Sequence, residues 1–473
     1  MREYPNLYVD GVWQPPAVAA PLTDVLGPAD GTVVTRVPAG STADVDRAVT
    51  AARKAFAAWS STPPADRAAA LTALGEGLAV RSDELAELIA LEVGMPLKLA
   101  RRVQVAGPLM VLASYAKLAA EYEFTTEVGN SLVVREPAGV VGAILPWNYP
   151  LYLLVSKVGP ALAAGCTIVL KPADVAPGPA FVFAEVCEAV GLPAGVFNLV
   201  SGGDEVGKAI AAHPGIDVIS FTGSTASGAS VAKAAAANIT RVALELGGKS
   251  ANIILDDADL AKAVPAGVNN AFLNSGQTCA AWTRMLVPAH LQDEVCALAE
   301  KAVARLTVGH PLDEASRLGP LASEQQLRIV TSYIESGLAE GARLVTGGPG
   351  APDGVTAGGY YVQPTVFADV TPEMRIAREE IFGPVLSIMP YADEDEAVRI
   401  ANDTDFGLHG AVFSGDPDRA LAVARRLRTG QVDINGGAWN PLAPFGGYKK
   451  SGLGRELGEA GLEEYLETKA IQR

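Results

Sequence analysis

Five short apolar runs, at residues 140–145, 167–170, 196–199, 218–221 and 242–244, recur with helical stretches between them, at 151–164, 180–190, 205–212 and 226–237. Most of the runs are rich in β-branched or aromatic residues. Strand–helix alternation at this spacing restricts the middle of the chain to an α/β fold built on a parallel, doubly wound sheet. Such sheets bind ligands beyond the carboxyl ends of their strands. The loops at those ends are Pro146-Trp147-Asn148-Tyr149-Pro150, Lys171-Pro172-Ala173-Asp174, Ser201-Gly202-Gly203 and Thr222-Gly223-Ser224-Thr225.

These loops suit a dinucleotide. Gly223 and Ser224 open a helix directly after a strand, where free backbone N–H groups and the helix dipole face a phosphate. Lys171 and Asp174 follow another strand and offer a cation and a carboxylate to ribose hydroxyls. A plain helix cap is the competing reading of Gly223 and Ser224. The GxGxxG fingerprint is absent. Gly248-Lys249-Ser250 looks like the end of a P-loop, but Ala243 stands where the motif requires glycine, which rules that loop out.

Before this region, residues 7–13 read as a hairpin turning at Asp10-Gly11, and helices follow from residue 42, from about residue 65 and near 99–122. After it, a helix at 260–273 leads into Asn274-Ser275-Gly276-Gln277-Thr278-Cys279 and then a strand at 284–287. A thiol on a loop between two ordered elements is well placed as a nucleophile, although free cysteine is more often a buried packing residue. Glu245 ends the fifth apolar run, where it is either a cap or a base; apolar surroundings would raise its pKa towards neutrality. Further on, 362–367 and 385–389 read as strands and 395–402 as a helix, so this half also looks α/β.

A length of 473 residues sets an expectation of two or three domains. A net charge of -16 argues against a nucleic-acid partner and against an anionic membrane. Cys166, Cys187, Cys279 and Cys296 show no CxxC spacing, and the four histidines show no ligand spacing, so no metal site is expected. The start of the chain has no apolar leader and no uninterrupted apolar run is of membrane-spanning length, which points to a reduced, cytoplasmic protein.

Six motifs then stand in order: Pro146-Trp147-Asn148-Tyr149-Pro150, Phe221-Thr222-Gly223-Ser224, Glu245-Leu246-Gly247-Gly248-Lys249, Gly276-Gln277-Thr278-Cys279, Glu379-Glu380-Ile381-Phe382-Gly383-Pro384 and Pro444-Phe445-Gly446-Gly447. Together they resemble the NAD(P)-dependent aldehyde dehydrogenase superfamily, from about Tyr8 to the C-terminus. The resemblance implies that Cys279 attacks the aldehyde to form a thiohemiacetal. Asn148 is implied as the oxyanion donor, with the Cys279 N–H, and Glu245 as the base that activates water to hydrolyse the thioester. It further implies dinucleotide contacts at Pro146, Trp147, Lys171, Asp174, Gly203 and Gly207. Phe221, Gly223, Ser224, Leu246, Gly247, Glu380 and Phe382 complete that set, with Glu380 on the nicotinamide ribose. Asp174 stands where NAD-selective relatives often carry Glu, so NAD is the expected cofactor and NADP the alternative.

By the same resemblance, residues 1–120 and 138–247 form the dinucleotide-binding domain and 248–447 the catalytic domain. Residues 121–137 and 448–473 are implied as a small β oligomerisation extension of a homodimer or homotetramer. Read alone, both segments are equally a surface hairpin. Tyr149, Leu153, Ser156, Leu273, Thr278, Ala280, Trp439 and Phe445 fall on implied positions lining a substrate tunnel. None is Arg or Lys, which a carboxylate-bearing semialdehyde would want, and the aromatic residues could equally be ordinary packing or a cage for a betaine-type aldehyde. The expectation is a neutral, largely apolar aldehyde. A CoA-acylating relative is disfavoured by Glu245, and a non-catalytic structural protein by the presence of Cys279, Glu245 and Asn148 together.

Overall fold

The computed structural model describes residues 1–473, organised on two large sheets. The first has eight strands. Its centre is five parallel strands in the spatial order Arg241–Glu245, Val218–Thr222, Val140–Ile144, Thr167–Lys171, Phe197–Leu199. Each lies within two residues of the run expected from sequence, and so do the intervening helices Pro150–Ala164, Gly178–Ala189, Asp204–Ala212 and Thr225–Ala236. Four of these strands are buried at every position, because helices cover both faces. Two apolar clusters flank the sheet, one of 55 residues and one of 19, so the two faces are unequally thick.

The strand order decides where a ligand fits. Counted in chain order, the five strands lie third, second, first, fourth, fifth. The winding therefore reverses between Val140–Ile144 and Val218–Thr222, and the crevice of such a fold opens beyond the carboxyl ends of those two strands. Pro146–Pro150 and Gly223–Ser224 are the loops there. The expected hairpin is present as Leu7–Val9 against Val12–Gln14, with Asp10 and Gly11 at φ 53° and 76°, and it extends one edge of the sheet through Tyr8 and Leu199. Gly452–Leu453 closes the opposite edge against Leu244 and Glu245.

The second sheet has seven strands, in the order Arg343–Thr346, Thr365–Ala368, Val385–Tyr391, Arg284–Pro288, Ala251–Ile254, Gly410–Phe413, Asp433–Ile434. All pair in parallel except the first two. The strand expected from residue 362 begins only at Thr365, since Pro364 has no N–H to give a ladder. A small antiparallel sheet pairs Leu466–Gln472 with Ser131–Pro137, and that strand with Thr125–Val128. Leu97–Glu121 is one continuous helical run, long and apolar enough by composition to cross a membrane. The helix expected near 99–122 makes up most of it, and Arg101 and Arg102 interrupt its apolar residues. In the fold its inner residues Val111, Leu112 and Tyr115 are buried in the larger core cluster.

The thiol loop joins this second sheet through unusual backbone. Asn274, Ser275 and Gly276 have φ of 53°, 55° and 74°, three successive left-handed residues. A Cβ on Gly276 would lie 2.1 Å from the Gly383 carbonyl oxygen and 2.7 Å from Pro384 N. Only glycine allows this loop to sit against the 379–384 motif. Gly276→Ala is expected to destabilise the fold by about 1–3 kcal/mol and to loosen the loop; a lowered melting temperature together with faster thiol labelling of Cys279 is the check.

Candidate active site

Asn148 sits on the loop after Val140–Ile144 and is 3% exposed. Its Nδ2 donates to Gln277 O at 3.0 Å, and its own carbonyl accepts from Asn274 Nδ2 at 3.1 Å. An amide of the first sheet is thus bound to the loop that carries the thiol. Gln277 is fully buried and is held in turn by Ala322 N, which donates to its Oε1 at 2.9 Å. Cys279 follows, half-buried. Burial first, then Glu380 and Glu245, push its thiol up to about 12. At neutral pH it rests as the neutral thiol and needs a base before it can attack.

Glu245 ends its strand 4% exposed, beside Gly446, where a Cβ would come within 2.7 Å of Oε1. Its Oε2 has no hydrogen-bond partner. Burial holds this carboxyl well above the ordinary range; Glu456 adds to the rise and Lys157 opposes it. Lys157 and Glu456 form an ion pair of 2.6 Å with almost no exposure on either side. Sequence reasoning missed both. The available signal was a single lysine in a helix, Pro150–Ala164, that is otherwise almost wholly apolar. Glu456 gave none, because it stands in a glycine-rich tail.

The cofactor residues expected from sequence gather at the crevice. Lys171 Nζ donates to Asp174 Oδ1 and to Pro172 O, both at 3.1 Å. Gly203 caps the helix Asp204–Ala212 with open space where a Cβ would be, and Gly207 lies in the same first turns above the Lys171 stem. These two glycines leave a cradle that side chains would fill. Ser224 caps Thr225–Ala236 by accepting from Ser227 N at 3.2 Å, so the cap reading holds, and Gly223 lies on the Phe221 ring. Thr222 Oγ1, at the carboxyl end of the fourth strand, is buried with no partner. Leu246 packs against Gly228, and Pro146 leads into Trp147, whose ring meets Phe382 edge-on at 5.5 Å. Glu380 is pushed up to about 7 by burial; its Oε1 accepts from Gly248 N at 3.1 Å, and Gly247 leaves room for its Oε2. Hydroxyl acceptors, a cation paired with Asp174, open glycines and an orphan hydroxyl suit a dinucleotide.

Of the expected tunnel residues, Tyr149 and Thr278 share a hydrogen bond of 2.7 Å. Thr278 gives its own proton to Leu273 O at 3.0 Å, so Tyr149 is the donor of that bond and both hydroxyls are spent on protein. Ser156 is buried and donates to Tyr152 O at 2.9 Å, leaving no polar group to offer. Leu153 is nearly buried, and the Ala280 carbonyl lies 3.2 Å from His409 Nδ1. Phe445 pairs with Glu456 through two backbone hydrogen bonds of 2.7 Å, which ties this residue to the ion pair. Trp439 is 43% exposed and meets Tyr152 at 6.0 Å; sequence reading did not include Tyr152.

A family model described as the aldehyde dehydrogenase family matches residues 13–471. The chain is 50% identical over 473 residues to 3-succinoylsemialdehyde-pyridine dehydrogenase from a Pseudomonas species, covering 100% of this chain and 99% of that one. Aldehyde dehydrogenase C from Pseudomonas syringae, solved as a mutant with NAD+ and octanal, superposes with a TM-score of 0.98 at 51% identity, over 99% of this chain and 96% of that one. The Mycobacterium tuberculosis aldehyde dehydrogenase complexed with NAD+ gives 0.97 at 46%, over 100% and 98%.

The neighbours of Glu245 set a directional test. Removing Lys157 by Lys157→Met takes away the charge that lowers the Glu245 pKa, so the acid limb of the kcat–pH profile should move to higher pH. Glu456→Gln removes the charge that raises it and should move the limb to lower pH. Steady-state profiles of both variants against the parent enzyme check the two opposite shifts.

Proposed function

The chain belongs to the aldehyde dehydrogenase family and is an NAD-dependent oxidoreductase acting on aldehydes, and we propose that Cys279, Asn148 and Glu245 divide its chemistry. The observation that supports this most is the bond from Asn148 Nδ2 to Gln277 O, which puts an amide donor beside the thiol loop. In this reading the Cys279 proton passes to Glu245, directly or through water, and Sγ forms a bond to the aldehyde carbon. The carbonyl oxygen becomes an oxyanion and is stabilised by the second Nδ2 hydrogen of Asn148 and by the Cys279 N–H. When bound, NAD supplies the hydride acceptor that turns the thiohemiacetal into a thioester. Glu245 releases the thiol proton to solvent and then takes a proton from water, the hydroxide attacks the thioester carbon, and the acid leaves as Sγ recovers that proton from Glu245. A carboxyl whose pKa is raised is suited to both transfers.

Lys171 and Asp174 would hold the adenine ribose, Gly223 and Ser224 the phosphates, and Glu380 the nicotinamide ribose. The contact between Lys171 and Asp174 supports NAD over NADP, since the carboxylate already neutralises the cation that a 2′-phosphate would need. Residues 1–120 and 138–247 would be the dinucleotide domain and 248–447 the catalytic domain. The exposed strand Leu466–Gln472 and its partners in 121–137 would join copies as a homodimer or homotetramer. Four free cysteines fit a cytoplasmic setting.

If Glu245 serves both transfers, Glu245→Gln should form NADH slowly with octanal, up to about one per active site, and then stall; Cys279→Ala should give none while still binding NAD. Stopped-flow absorbance decides it, and steady turnover by Glu245→Gln at the parent rate would remove Glu245 from the mechanism.

The substrate is proposed to be a neutral, largely apolar aldehyde. Support comes from the spent hydroxyls of Tyr149 and Thr278, the absence of Lys and Arg among the lining residues, and octanal in the Pseudomonas syringae relative. Octanal should exceed a carboxylate-bearing semialdehyde of similar length by at least about tenfold in kcat/KM, because a buried unpaired carboxylate is costly. A ratio near one, measured by NADH formation, would overturn this substrate class.

A further inference from the structure

We propose that Gln104 is a positioning residue for the oxyanion donor, acting through the Asn148 backbone; this rests on the reading of Asn148 above. Gln104 lies within Ala100–Ala106, seven residues of π-helix inside the longer run Leu97–Glu121. A π turn takes more residues than an α turn, turns different side chains inward, and is often found at functional sites. Here it turns Gln104 to the interior, where it is fully buried, and its Nε2 donates to Asn148 O at 2.9 Å. The reverse amide orientation would set two acceptors against each other, so the partner fixes which end faces Asn148.

The opposite end of the same amide carries the argument. Gln104 Oε1 is buried with no hydrogen-bond partner. For packing alone this is a poor choice, since methionine or leucine would fill similar space without burying an unmet acceptor. What the amide achieves is the donor on Asn148. That carbonyl also accepts from Asn274 Nδ2, so it receives two donors and its peptide plane is pinned. The Asn148 side chain, leaving the same Cα, is fixed on Gln277 O. Asn274 and Gln277 both belong to the thiol loop and would shift with it. Gln104 is the contact that ties this unit to a separate helix, and so holds donor and thiol as a preorganised pair against the rest of the fold.

The test uses the full-length enzyme, saturating NAD and octanal, with the NADH burst rate as readout. Gln104→Met should slow the burst by roughly two- to tenfold, the worth of one hydrogen bond expressed as a rate, with NAD affinity and the KM for octanal nearly unchanged. Because the effect runs through Asn148, it should largely vanish in an Asn148→Ala background. Gln104→Glu keeps the size of the side chain and guards against a folding defect in the first variant. Its ionised form cannot donate and its protonated form can, so its deficit relative to the parent should shrink as pH falls. A burst untouched by Gln104→Met, the same slowing in the Asn148→Ala background, or a pH-independent deficit in Gln104→Glu would each overturn the proposal. If Asn148→Ala itself leaves the burst unchanged, the oxyanion reading falls and this proposal with it; if Asn148→Ala slows the burst and Gln104→Met does not, only the role of Gln104 falls.

Discussion

Glu245 and Cys279 are reached from different sheets, and the segment after Glu245 meets the other sheet's loops at Gly247, against the Glu380 side chain, and at Gly248, against the Cys279 backbone. A Cβ on Gly248 would lie 2.4 Å from the Cys279 carbonyl oxygen, and one on Gly247 would lie 2.2 Å from Glu380 Oε2. The same kind of contact recurs where Gly276 meets Gly383 and where Gly446 meets Glu245. The short motifs scattered over some three hundred residues are therefore the points at which separate segments touch. Their glycines are explained by the contact distance, and their polar residues by what the contact brings together.

Within that junction the charges are arranged to be hidden at rest. Lys157 and Glu456 neutralise each other, and the Arg284 guanidinium is spent on the carbonyls of Lys249, Ile400 and Ala401. Burial brings Glu380 to about 7 from below, and burial together with Arg284 brings Lys249 to about 7 from above. Both groups are thus poised near neutrality, on adjoining backbone. A thiolate or an oxyanion formed there meets fixed dipoles at low dielectric, where each counts for more than in water.

Much of this was legible in the chain. The largely apolar character of 167–170 and 218–221 marks strands covered on both faces, and the Gly165 and Pro150 punctuation bounds the helix between Val140–Ile144 and Thr167–Lys171. The motif residues Asn148, Glu245 and Cys279 stand out by their positions at strand ends and on a loop. What stayed hidden depends on distant partners. Lys157 reads as an oddity in an apolar helix until Glu456, 299 residues away, is placed beside it. Gln104 reads as an ordinary helical glutamine, because no residue spacing announces a π turn. Local pattern records which face of an element is buried; it does not record which polar group waits on the other side.

The high pKa of the Cys279 thiol also bears on how the protein ages. Peroxide and alkylating electrophiles react with thiolates far faster than with thiols. A thiol held up to about 12 spends almost all its time in the unreactive form. The same burial that makes Cys279 dependent on a base during turnover therefore also slows its reaction with such reagents between turnovers.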